Sequence, residues 1–143
     1  MSLHGSYDAD NIFAKIIRGE IPAVKVFEDD QVLAFMDAFP QSRGHVLVIS
    51  KTSQARNLLE AETKTLGRMI GAVQKVTQAV TTALKPDGVV VTQFNGAPAG
   101  QTVFHLHFHI IPRYDGEALG RHGEGMADVE DLKALAEKIL AAL

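Results

Sequence analysis

The segment TVFHLHFHIIP, residues 102–112, sets His105, His107 and His109 at every second position, with Leu106, Phe108 and Ile110 between them. The whole chain has only six histidines, so the spacing demands a reason. Alternation with a period of two is the signature of a β-strand, whose side chains at i, i+2 and i+4 project from one face. The segment therefore predicts a strand closed by Pro112, apolar on one face and carrying three imidazoles on the other.

The rest of the chain reads outward from that strand. NIFAKIIRG, from Asn11, predicts a helix with Ile12, Phe13, Ile16 and Ile17 on one face, Asp10 as N-cap and Gly19 as stop. VKVFEDD and QVLAFMDA predict a hairpin around Asp29 and Asp30, and HVLVIS a third strand behind Gly44. From about Ser53 the period lengthens. Leu58, Leu59, Leu66, Met69, Ile70, Val73, Val76, Val80 and Leu84 predict one long helix, or a short helix and then a long one, ended by Pro86 and Gly88. VVVTQF is a fourth strand, NGAPAGQ a loop, the histidine segment a fifth strand, and about Asp128 to Leu143 a last helix. This order predicts an α+β fold, a single domain with a largely antiparallel five-stranded sheet and helices packed on one face. Residues 10–143 form the expected domain and residues 1–9 a flexible N-terminal segment.

Composition narrows the function classes. The chain has 143 residues, 46% hydrophobic and 22% charged, an ordinary globular balance. Seventeen acidic and fourteen basic residues give a net charge of -3, without the basic excess of a duplex-binding protein, so no nucleic-acid partner is expected. There is no cysteine, which removes disulfides, thiolate metal sites and a Cys nucleophile. No apolar run approaches the ~20 residues of a membrane span, and the N-terminus lacks the apolar core of a signal peptide. The expectation is a cytoplasmic protein with no membrane partner. His4, His122 and Lys51 are assigned no specific role.

Three imidazoles on one strand face are hard to explain by packing, since each brings a donor and an acceptor that burial must satisfy. Metal binding is one chemistry. Strand residues two apart are ~6.6 Å apart, whereas zinc holds nitrogen at ~2.0–2.1 Å. Three in a row cannot easily share one ion, and a site would need His45 or Asp37. Phosphorus chemistry is the other. A neutral imidazole is a nucleophile near neutral pH, and NGAPAGQT supplies backbone N–H groups, an amide and a hydroxyl for an anionic phosphate.

NIFAKIIRGEIPAVKVFEDDQVLAFMDAFPQSRGHVLVISK (11–51) and NGAPAGQTVFHLHFHIIPR (95–113) together resemble the histidine triad (HIT) family, in particular its nucleoside phosphoramidase branch. The resemblance implies a HIT-like fold and an enzyme that cleaves a purine nucleoside phosphoramidate, or a related α-phosphate bond, through a nucleotidyl-histidine intermediate. It implies His107 as nucleophile, His109 on the phosphate, His105 holding the nucleophile's geometry, and His45 completing the set. Asn95, Gly100, Gln101 and Thr102 would serve the phosphate or scissile bridge, Asp37 the ribose hydroxyls, and Ile12, Phe13, Ile16 and Ile21 the base. It further implies a purine nucleotide substrate, a homodimer joined through the long helix and VVVTQF, no cofactor and no metal. The cysteines through which some relatives hold zinc are missing here, with Ala14 inside NIFAKI. Alternatives are a dinucleoside polyphosphate hydrolase of the same family, a nucleotide-binding scaffold with little catalysis, and a metal-binding protein using His45.

Overall fold

A computed structural model describes residues 2–120 and 125–143; His122 lies outside them. The elements run α1 (Ile12–Ile17), β1 (Lys25–Glu28), β2 (Val32–Met36), β3 (Val46–Ser50), α2 (Thr63–Leu84), β4 (Gly88–Thr92), β5 (His107–Arg113) and α3 (Val129–Ala141). The strands form one five-stranded sheet in the order β1-β2-β3-β5-β4, and every neighbouring pair is antiparallel. The expected α+β fold and single antiparallel sheet are present.

Period-two alternation divides the core. Val32, Ala34, Met36, Val46, Val48, Leu106, Phe108 and Ile110 meet α2 and α3 on one side of the sheet. The α2 residues Met69, Ala72, Val73, Val76 and Val80 supply the matching stripe at helical spacing. Leu33, Phe35, Leu47 and Ile49 point the other way, onto Phe13 and Ile16 of α1. The two long helices thus share one face, as expected, and the short α1 covers part of the opposite face. A six-residue helix cannot stand alone in water. Asn11, rather than Asp10, caps it: its Oδ1 accepts from the Phe13 and Ala14 amides, both at 3.0 Å. Such a cap contributes about 1 kcal/mol, and burial of Phe13 and Ile16 about 1.5–3 kcal/mol each.

Three further local expectations differ from the structure. Residues 53–62 form turns, and the helix begins only at Thr63, leaving Leu58 and Leu59 exposed. Ser53 and Asn57 explain why, since their side chains accept from the Ala55 and Leu59 amides and favour turns over helix. β5 begins at His107, so His105 stands in the bend before it, and it continues through Pro112 to Arg113. Pro112 is tolerated because β3 pairs with β5 only as far as Ile110. Arg113 accepts from Asp87 on the β4 side, so the missing N–H of Pro112 points past the end of the β3 ladder. Lys51 is tied down: its Nζ donates to Glu28 at 2.7 Å and to the Asp29 carbonyl at 2.9 Å, and hydrogen bonds from Lys51 and then Lys25 hold the Glu28 carboxyl below its usual pKa.

The chain enters β3 through Gly44, whose φ is +92°. A Cβ there would collide with Cδ1 of Leu84 at the end of α2 and stand 3.3 Å from Pro112 Cγ. Only glycine meets both requirements. Among the described residues, no helix is long and apolar enough to cross a membrane.

Candidate active site

The register of β3 on β5 pairs Ile49 with His107 and Leu47 with His109. Both histidines therefore share the sheet face that carries α1. The Phe13 ring meets His107 edge-on, with centroids 4.8 Å apart, and the His107 and His109 rings lie 5.0 Å apart. His45, one residue before β3, brings a fourth imidazole to the same place, 5.2 Å from His109. All four are buried: His45 is 0% exposed, His105 2%, His109 3% and His107 6%.

Burial makes the tautomers readable, because a carbonyl can only accept and an amide N–H can only donate. His107 Nδ1 lies 2.7 Å from the His105 carbonyl, so the proton sits on Nδ1 and the lone pair on Nε2. His105 Nε2 lies 2.8 Å from the Ser50 carbonyl, which places its proton on Nε2. The Gln41 amide donates to His45 Nδ1 at 3.0 Å, so neutral His45 carries its proton on Nε2. That nitrogen is 3.0 Å from His109 Nδ1, which must accept, and His109 then bears its proton on Nε2. The arrangement sets a nucleophilic lone pair on His107 next to an N–H donor on His109. Burial, partly offset by the Ser50 hydrogen bond, lowers the pKa of His105 below its usual 6.5 and keeps the ring neutral.

Asp37 is buried beside His45. Its Oδ1 accepts from the Phe39 amide at 2.8 Å, closing the turn before Pro40, and its Oδ2 lies 3.4 Å from His45 Nε2. Ligand atoms of Asp37, His45 and His109 lie within 4.8 Å of one another, a spacing a metal ion could use. The tautomer favours a shared proton instead. With Gln41 donating to Nδ1, the His45 nitrogen aimed at the cluster bears hydrogen and has no lone pair to give.

The loop before β5 is shaped by its own residues. Gln101 is buried, accepts from the Gly96 amide at 2.8 Å and donates to the Arg56 carbonyl at 2.7 Å, so both ends of its amide brace the loop. Asn95 Oδ1 accepts from the Leu58 amide at 2.9 Å and from Gln93 at 2.8 Å, turning its NH2 into the donating end. Gly100, at φ +111°, lies against the Phe94 ring, and Phe94 lies 5.3 Å from His109. Phe94 thus locks the loop to the histidines, a role that strand patterning could not reveal. Thr102 is exposed. Of the expected base wall, Phe13 and Ile16 are buried in the core, Ile21 is half-buried and Ile12 is exposed. An open depression of about 450 Å³, lined by Arg43, Arg113, Tyr114 and Glu117 among others, includes none of the four histidines.

An antiparallel sheet that buries a row of tautomer-fixed histidines beside a glycine-rich loop defines the histidine triad class of fold and site. The HIT domain profile matches residues 18–116, and the chain belongs to that family. A Hit-like protein of Bartonella henselae, named as involved in cell-cycle regulation, superposes with a TM-score of 0.89 at 54% identity, over 96% of this chain and 100% of its own. The adenosine 5′-monophosphoramidase hnt1 of Schizosaccharomyces pombe is 40% identical over 134 residues, 90% of this chain and 94% of that protein. The adenylylsulfatase HINT3 of Arabidopsis thaliana is 40% identical over 110 residues, 77% of this chain and 55% of that protein.

Proposed function

We propose that the chain is a metal-independent nucleotide hydrolase or transferase that cleaves a purine nucleoside phosphoramidate at the α-phosphorus. The observation that carries this reading is the 2.7 Å bond from His107 Nδ1 to the His105 carbonyl, because it commits the lone pair to Nε2. Nε2 attacks phosphorus, an N–P bond forms, and the bond to the leaving nitrogen breaks as that nitrogen takes a proton from solvent and departs as a neutral amine, a proton that the attacking water gives back in the second step. The imidazolium so created keeps its Nδ1–H on a carbonyl, which favours the positive ring. The His109 Nε2–H donates to the phosphoryl oxygens as their charge grows, and loop amides add to it. Water then attacks the same phosphorus and releases His107. Binding of base, phosphate and ribose by Ile12, Phe13, Ile16, Ile21, Asn95, Gly100, Thr102 and Asp37 belongs to the same proposal, with Gln101 acting through loop shape.

The activities for which the two relatives are named support this chemistry, since a phosphoramidate and an adenylyl sulfate differ in leaving group and share an adenylyl phosphorus. A homodimer fits the reading too: β4 is an edge strand with Val90 and Val91 exposed. The decisive test is AMP release from adenosine 5′-phosphoramidate in EDTA. Wild type should turn over, and His107→Ala should lose at least about 10⁴-fold in kcat, as expected for removal of a nucleophile. Equal rates for the two proteins would defeat the assignment. Sedimentation of the same wild-type sample reads the mass of one chain or two.

A further inference from the structure

The N-terminal segment expected to be flexible makes specific contacts on both sides of the histidines. Ser2 Oγ accepts from the Ala97 amide at 3.0 Å, and the Leu3 carbonyl accepts from buried Asn57 at 2.8 Å. Leu3 also packs against Gly96, at the start of the loop that precedes the triad. At the other end, the Asp8 carbonyl accepts from Asn11, the α1 cap, at 2.7 Å, and the Ala9 carbonyl from Arg18 at 2.6 Å. Residues 2–9 are therefore a strap, fastened to the loop at one end and to α1 at the other.

Tyr7 lies between these fastenings. Its hydroxyl is 2.7 Å from His105 Nδ1, and the two rings are tilted at 58° with centroids 5.7 Å apart. Since the Ser50 carbonyl fixes the His105 proton on Nε2, Nδ1 must accept, and the Tyr7 O–H donates. Both ring nitrogens of a buried imidazole are thereby satisfied. The carbonyl of the same residue is the group that orients His107.

We infer that Tyr7 is a positioning residue: through its hydroxyl it holds the His105 ring, and through the His105 carbonyl it holds His107 in the nucleophilic tautomer. This rests on the phosphoramidase reading above. The strap makes no contact with reacting atoms in this scheme. It couples the N-terminal segment, the 95–101 loop and α1 to the orientation of one imidazole. Without the hydroxyl, buried Nδ1 loses its donor, and the ring gains a reason to turn or to exchange tautomers, moving the backbone carbonyl with it.

Tyr7→Phe removes one oxygen and keeps the ring, so the fold should survive, and a thermal melt checks that. The expected result is a kcat lower by about ten-fold, the scale typical of a lost orienting hydrogen bond, with KM little changed. Long-range proton–nitrogen NMR of histidine-labelled protein supplies a readout that does not depend on turnover. In wild type His105 should show the Nε2–H tautomer with Nδ1 accepting; in Tyr7→Phe its Nδ1 resonance should move. A wild-type His105 in the Nδ1–H form, or a Tyr7→Phe protein with unchanged kcat and unchanged His105 signals, overturns the inference. An inactive wild type would instead overturn the phosphoramidase reading, and with it the catalytic part of this inference, so the two failures are distinguishable.

Discussion

The two faces of the strand pair β3–β5 are built on different principles, although they alternate residue by residue. Toward α2 and α3 stand Val46, Val48, Leu106, Phe108 and Ile110, held by buried area that many neighbours share. Toward α1 stand Leu47 and Ile49 of β3, which pack on Phe13 and Ile16, and beside them His107 and His109 of β5, whose rings are held by hydrogen bonds that each have one donor, one acceptor and one direction. Loss on the first face is graded and is felt as stability. Loss on the second is specific, because a buried imidazole without its partner can turn or change tautomer and so present the wrong nitrogen.

Substitutions can break or sharpen this contrast. The largest expected effect on stability is on the apolar face: Ile110→Ala should cost about 2–5 kcal/mol in urea unfolding while kcat of the folded protein stays as it was. If kcat collapsed as well, the two faces would not be separable. Across the sheet, His45→Leu should cost less stability, about 1–3 kcal/mol for the stranded His109 acceptor and Gln41 donor. It should lower kcat by about 10²-fold through misorientation of His109. A variant with wild-type turnover would refute the relay from Gln41 to His109.

The smallest effect is on pH dependence, through His105. Its folded pKa lies below the usual 6.5 because burial penalises the charged ring. On acidification the unfolded chain takes up this proton first, so the stabilisation is complete above 6.5 and declines as pH falls from there through the folded value. The urea midpoint should therefore drop between about pH 7.5 and about pH 5.5, and less steeply in His105→Gln. Identical slopes for the two proteins would remove His105 from the balance.

Much of this division was legible in the chain itself. HLHFHI dictates that Leu106, Phe108 and Ile110 oppose the histidines, because a strand has no other way to distribute them. The hairpin at Asp29 and Asp30 and the helix capped by Asp128 follow from local turn and cap chemistry, which needs no distant partner. Local rules failed where competing local hydrogen bonds decided, as at Asn11 in place of Asp10 and at Ser53 and Asn57, which hold a helical-looking stretch in turns. They were also silent on contacts between remote side chains. His45 meets His109 across 64 residues, and Tyr7 meets His105 across 98. The family resemblance joined His45 to the triad without saying which of the three rings it meets. Nothing in the spacing of residues 1–9 foretold the second pair.

Gly44 carries a consequence for how this protein can change over evolutionary time. It has no side chain and touches no substrate in the proposed mechanism, yet it stands one residue before His45, where Leu84 and Pro112 leave no room for a Cβ. Any other residue must push the Leu84 side chain aside and hold a left-handed φ that a Cβ disfavours, and easing that strain at the entry to β3 moves His45 against a hydrogen bond whose useful range is a few tenths of an ångström. A position that looks neutral in chemistry is thereby closed to drift, and the alphabet permitted there is narrowed by a helix end on the far side of the sheet.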